Sequence, residues 1–248
     1  MSDNKGMSKR QVRREQIRRK EQRSRFLSIG LVTAIALLLA FVFIYPNFKP
    51  VGEVFDAPPI TRTTVDFNTV GDPDAPIRID EYSDFQCPFC RRFFDNTEEQ
   101  LISDYVETGT VYFVYHSFGD FIGQESENAA EAAYCAGDQG KFWEMHDVIF
   151  ANQTGENVGA YTDRRLMAFG EKLELDMDAY RTCYNNGTYK DMVDEDAKTA
   201  LQAGVTATPS FIVTYTVNGE EKTTMLEGAQ PIDVFKETID AALAEMGQ

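Results

Sequence analysis

Twenty consecutive residues, Phe26 to Tyr45, carry no charge. Wound into a helix they rise about 30 Å, the thickness of a bilayer core. A soluble core helix is rarely apolar on every side over that length, so the run is predicted to be a transmembrane anchor. Residues 1–25 hold ten Lys and Arg against three Asp and Glu, whereas the rest of the chain holds 14 basic and 37 acidic residues. Positive charge beside an apolar helix stays in the cytoplasm. The expected topology is therefore a basic cytoplasmic tail (1–25), a single-pass anchor in the cell membrane (26–45) and an acidic extracytoplasmic part. The competing reading is a cleaved signal peptide. It would need an unusually long basic region, and the run's only Ala-x-Ala site, Ala34-Ile35-Ala36, lies in mid-run. The acidic remainder reads as a solvated surface and offers no basic face for nucleic acid.

Six of the nine prolines, Pro46, Pro50, Pro58, Pro59, Pro73 and Pro76, fall within residues 46–76. Such a segment is extended and semi-rigid, and it is predicted to be a tether, with the folded domain at 77–248. Ile77 to Tyr82 has strand composition, and Val111 to Tyr115 is a continuous apolar run of the kind buried on both faces of a sheet. Between them Phe94, Leu101 and Tyr105 share a helical face. Helical patterns then fill about 124–204: Asn128 to Ala136, Phe142 to Phe150, Arg164 to Leu173 and Met177 to Tyr184. Asn218-Gly219 between two β-type runs is a hairpin signal, and Pro231 opens a last helix striped by Ile232, Phe235, Ile239 and Leu243. The order is strand, helix, strand, helical block, hairpin, helix. It describes an α/β domain whose helices cover a central sheet, with the helical block inserted between its halves.

Cys87-Pro88-Phe89-Cys90 stands between the first strand and its helix. A thiolate attacks a disulfide and a second thiol resolves the product. A helix N-terminus favours the thiolate of its first cysteine, so Cys87 is the expected nucleophile and Cys90 the resolving thiol. Half of a zinc site is the alternative for a lone C-x-x-C, but Cys135 and Cys183 lie far apart and neither has a C-x-x-C partner. No metal and no cofactor is called for. Of the only two histidines, His146 is expected to be a packing residue. His116 ends the second strand, and for both a core or solvent-exposed role is preferred. Cys135 and Cys183 each fall in a predicted helix of the insertion. They are expected to form a structural disulfide, closing a loop of about 49 residues worth roughly 4 kcal/mol; two buried free thiols are the alternative.

Asp84-Phe85-Gln86-Cys87-Pro88-Phe89-Cys90, Gly140-Lys141-Phe142-Trp143-Glu144-Met145-His146 and Val205-Thr206-Ala207-Thr208-Pro209-Ser210-Phe211 together resemble the DsbA-like branch of the thioredoxin superfamily. The resemblance spans about residues 70–245 and implies a thioredoxin-like fold with an inserted helical domain. It implies a cis Pro209 facing the cysteines, where the Thr208 backbone pairs with an extended peptide. It also implies an acidic residue six positions before Cys87, beneath the disulfide. Glu81 holds that place, to accept or pass the proton of Cys90, with Asp80 and Asp84 as competitors. The activity implied is exchange of the Cys87–Cys90 disulfide with reduced or unfolded secreted and membrane proteins, and a membrane redox partner resets the cysteines. Many strongly oxidising members carry His before the second cysteine where Phe89 stands here. Direct oxidation is the first reading and isomerase or reductase the second. A redox-inactive peptide-binding chaperone module is a reading of another class.

Overall fold

A computed structural model describes residues 9–45, 51–119 and 121–247. The start of the basic tail (1–8) and of the proline-rich tether (46–50, with Pro46 and Pro50) lies outside the described residues. The chain divides into two units, Met1–Pro50 and Val51–Gln248.

In the first unit a single helix, α1, runs over Lys9–Ile44. It begins well before the uncharged run, because residues 9–25 contain no proline or glycine to stop it. Its stretch Gln16–Val42 is long and apolar enough to cross a membrane. Phe26, Leu27, Ile29, Leu31, Val32, Leu37 and Leu38 are all more than 60 % exposed around it, a surface suited to lipid rather than water.

In the second unit a six-stranded sheet has the order β1-β2-β4-β3-β5-β6. Its strands are β1 (Val65–Asp66), β2 (Thr69–Val70), β3 (Ile77–Ser83), β4 (Val111–Ser117), β5 (Ser210–Val217) and β6 (Glu220–Glu227). β3 and β4 are parallel, with Glu81 beside Tyr115, so the chain must cross over between them. The crossover is α2, α-helical over Pro88–Phe93 and Glu99–Leu101 and π-helical over Phe94–Glu98 and Ile102–Val106. β5 runs antiparallel to β3, with Glu81 beside Phe211, and returns as β6. Asn218 and Gly219 at that turn have φ of 52° and 83°, the left-handed pair that a two-residue hairpin requires.

The insertion supplies α3 (Gln124–Gly137), α4 (Phe142–Ala151), α5 (Asp163–Lys172), α6 (Met177–Asn185) and α7 (Lys190–Gln202), and α8 (Ile232–Met246) closes the fold. Side chains alternate across β3. Ile77 and Ile79 enter the main core, and Tyr82 enters a smaller one with Phe118, Ala200, Val205 and Ile212. Cys135 of α3 and Cys183 of α6 are bonded to each other, Cα atoms 5.8 Å apart.

The tether expectation needs correcting. Residues 51–76 are not a free spacer: β1 and β2 join the sheet through β4. Phe55 exchanges backbone hydrogen bonds with the Asn152 side chain at 2.9 and 3.0 Å. Strands of two residues show no periodicity, and the turn between them rests on Phe67 at φ 52°, a residue type that announces no turn.

His116 corrects another expectation. It is neither free nor a core packer: Nε2 meets Asp80 Oδ1 at 2.8 Å, and Nδ1 meets Asp196 Oδ1 of α7 at 3.0 Å. Burial alone would lower its pKa, but hydrogen bonds and charge from Asp196 and Asp80 raise it from 6.5 to about 9. A raised folded-state value gives stability that is complete below the unfolded pKa and lost as pH rises through the folded one. The imidazolium should therefore contribute up to about 3 kcal/mol at pH 6 that disappears by about pH 10. His116→Asn should be less stable than the parent at pH 6, with the gap closing by pH 10. Urea midpoints showing the same gap at both pH values would rule this out.

Candidate active site

β3 ends at Ser83, and Asp84-Phe85-Gln86 lead into Cys87, the N-cap of α2 with φ −68° and ψ 123°. The Cys87 N–H donates to Asp84 O at 3.0 Å. Pro88 follows at the first helical position, where its missing N–H costs nothing. The Cys87 and Cys90 thiols are free. Cys87 Sγ reaches Thr208 O at 3.3 Å, and the Thr208–Pro209 bond that sets this carbonyl is cis. Cys90 lies wholly inside, and the Asp84 N–H points at its sulfur from 3.4 Å.

The sulfurs are electrostatically unequal. A hydrogen bond from Cys90, opposed by burial and helped by Thr208 and the N–H groups of Cys90 and Phe89, holds the Cys87 thiol down to about 6. Burial, and then the neighbouring Cys87, push the Cys90 thiol well above its usual range. Thr208 Oγ1 is buried with no other hydrogen-bond partner among the described residues, which leaves it available to a thiolate.

The insertion braces this loop. The Asp84 carboxylate accepts from Gln86 N and Ser126 Oγ, both at 2.7 Å, and from Ile122 N at 3.2 Å. Gln153 Nε2 donates to the carbonyls of Phe85 and Cys87 at 2.7 and 3.1 Å, and Tyr161 Oη donates to Phe85 O at 3.0 Å. Burial raises the Asp84 carboxyl to about 6. Asp84 thus ties the loop to α3, while Asp80 points to the opposite face of the sheet and pairs with Arg78 and His116.

Glu81 faces the interior on the same side as Cys90 and is 1 % exposed. Burial, reinforced by the charge of Glu98, pushes its carboxyl well above the usual range. Next to it lies a polar cluster that sequence reading missed. The Arg62 guanidinium donates to Asp147 at 2.8 and 2.9 Å and to Glu98 at 2.6 Å, and lies 4.6 Å over the Trp143 ring. His146 Nδ1 meets Asp147 Oδ1 at 2.9 Å, with the imidazole fully buried among aromatic rings. Ligand atoms of Glu98, His146 and Asp147 lie within 4.8 Å of one another, but the cation the carboxylates need is already Arg62. A cleft of about 570 Å³ opens against this cluster, bounded by Pro58, Pro59, Arg62, Trp143, Asp147 and Lys172. No motif marked Arg62, which lies in the stretch read as a tether. Glu98 differs from its exposed neighbour Glu99 only in helical phase.

Residues 63–241 match the family model described as Thioredoxin. The chain is 32% identical over 174 residues to Na(+)/H(+) antiporter NhaA 1 of Salinispora arenicola, a match that takes in 70% of this chain and 24% of that protein. The chain thus spans about a quarter of the antiporter's length. It is 27% identical over 199 residues to the probable disulfide bond formation protein D of Bacillus cereus, covering 77% of this chain and 88% of that one. The crystal structure of oxidised BdbD from Bacillus subtilis superposes with a TM-score of 0.62 at 22% identity, over 77% of this chain and all of that one. At that identity the likeness is one of fold.

Proposed function

The chain belongs to the thioredoxin family, and from that premise we propose that it is a membrane-anchored, DsbA-like thiol–disulfide oxidoreductase that oxidises cysteine pairs of secreted and membrane proteins outside the cytoplasm. One observation carries the reading: Cys87 sits at a helix start with its thiol held down to about 6, beside the Thr208 carbonyl, while Cys90 is sealed beneath it. A thiolate that is stable is a good leaving group, so the reduced pair is favoured and the disulfide is an oxidant. In the forward reaction a client thiolate attacks Cys87 Sγ of the disulfide and Cys90 leaves. A second client thiolate then attacks the client sulfur of the mixed disulfide, forming the client disulfide and releasing Cys87 as thiolate. The client's extended backbone lies against Thr208, and Glu81 supplies the proton that Cys90 takes up. A membrane redox partner removes the two electrons and restores the disulfide. Phe89 brings no imidazolium; the helix start and the hydrogen bonds carry the thiolate instead.

The ten basic residues before Phe26 support a cytoplasmic N-terminus with the catalytic domain outside. In spheroplasts, Cys90→Ser protein should accumulate mixed disulfides with secreted proteins through Cys87, and protease added outside should digest them. Trapping through Cys87→Ser instead would reverse the thiol roles, and complexes resistant to protease would reverse the topology. Binding of unfolded peptides with no thiol turnover would mark the chaperone reading.

A further inference from the structure

Cys90 must gain a proton each time the disulfide opens, yet it is 0 % exposed. The client groove at Cys87 and Thr208 is covered by the client itself at that moment. The proton must therefore reach Cys90 from below.

The polar side chain that acts on both Cys90 and Glu81 is Ser83. It lies two residues from Glu81 on the same face of β3 and is 0 % exposed, and the next backbone N–H, that of Asp84, touches Cys90 Sγ. The Ser83 hydroxyl acts on both groups, favouring the thiolate of Cys90 and the carboxylate of Glu81. Glu81 leads on to Glu98. Glu81 Oε2, Ser83 Oγ, Glu98 Oε2, Tyr115 Oη and His146 Nε2 are all buried without a hydrogen-bond partner among the described residues. Five such atoms exceed what one small region of a fold ordinarily tolerates, and bridging water is the partner that buried polar groups of this kind usually take. Beyond Glu98, polar atoms of His146 and Asp147 lie within 4.8 Å, a gap one water molecule spans, and Asp147 with Arg62 forms a wall of the 570 Å³ cleft.

We propose that Ser83 and Glu98 extend Glu81 into a proton relay joining Cys90 to the cleft at Arg62 and Asp147, so that protons and clients use separate entrances. The inference rests on the oxidoreductase reading. When the client thiolate displaces Cys90, the Cys90 thiolate takes one proton from Glu81, passed along the Ser83 hydroxyl and the water that bridges these groups, and Glu81 is left as carboxylate. The Glu81 carboxylate then recovers a proton through Glu98 from water in the cleft. One proton enters and one S–H forms for each disulfide opened. The groups that set the pH response are Glu81 on β3, Tyr115 on β4, Glu98 on α2, His146 and Asp147 on α4, Arg62, and the charge of His116 on β4.

The test uses the oxidised full-length protein in detergent, mixed with a reduced dithiol peptide between pH 5 and 9. Ser83→Ala should slow exchange roughly tenfold or more and diminish its solvent deuterium effect, and Ser83→Thr, which keeps the hydroxyl, should restore both. Glu98→Gln should displace the pH–rate profile. In all three the Cys87 thiolate absorbance should titrate as in the parent, which a general distortion of the site would not permit. Parental rates and pH profile in Ser83→Ala would overturn the relay, as would a Ser83→Thr protein no faster than Ser83→Ala. If Glu98→Gln fails to fold, the Ser83 pair decides alone. No exchange by the unsubstituted protein would sink the oxidoreductase reading and the relay with it; normal exchange by Ser83→Ala would sink the relay only.

Discussion

Replacing Cys87 by serine should reduce disulfide exchange to the background rate of the assay while leaving the fold intact. Thiolate is the reacting species, and with its pKa near 6 the Cys87 sulfur is ionised by about ten to one at pH 7. A serine hydroxyl is essentially un-ionised there and forms no stable bond to sulfur. Cys90 cannot substitute: it is enclosed, and its thiol is held well above the usual range. The fold should survive because serine is nearly isosteric and can still donate to Thr208 O, as the thiol does at 3.3 Å. The pH dependence follows from the direction of the shift. Attack by reduced protein on a disulfide should rise as pH passes 6 and then level off, instead of rising through the range of an ordinary thiol. Oxidative refolding of a reduced substrate, followed with both proteins, checks the first statement. Residual turnover in Cys87→Ser above a thiol-free control would refute it.

Arg62→Met should be the most damaging single change to stability outside the hydrophobic core. The guanidinium is 5 % exposed and makes three hydrogen bonds to two buried carboxylates. Methionine keeps much of the stem that packs on Trp143, so the loss falls on the charge. Removing one partner of a buried ion network leaves the others uncompensated, at a cost of about 3–5 kcal/mol. Burial opposes ionisation of Asp147, yet His146 and Arg62 together lower its pKa below the ordinary value. A depressed carboxylate stabilises the fold above its unfolded pKa, and that contribution fades as pH falls through the folded value. The deficit in Arg62→Met should therefore be greatest near neutrality and shrink towards acid, where the abandoned carboxylates accept protons. Urea denaturation at pH 7 and pH 4 measures it. A deficit under 1 kcal/mol at pH 7 would show that the network contributes little.

Much of this molecule was legible because the informative residues are close in sequence. Cys87 and Cys90 with a strand before and a helix after, the apolar run 26–45, and Asn218-Gly219 each carry their meaning within a few positions. Strand alternation, once β3 is in place, separates Glu81 from Asp80: one turns to the cysteines and the other to His116 and Arg78. The groups that were not legible are those whose partners are distant. Arg62 meets Glu98 and Asp147 from 36 and 85 residues away, and His116 meets Asp196 from 80. No local pattern encodes such pairings. β1 and β2 escaped for a different reason, since two residues cannot display a period and proline-rich flanks suggest extension without pairing.

Arg62 and the short strands β1 and β2 also decide where the second unit could be cut free of α1. A protease cutting the chain between Tyr45 and Val51 would release a domain with every strand and its buried cation in place. A cut near Ile77, where composition suggests that folding begins, would carry off two strands and strand Glu98 and Asp147 in the interior without their counter-charge. Residues 51–76, for most of their length, are therefore part of the folded unit, and only a cut on their N-terminal side leaves that unit whole.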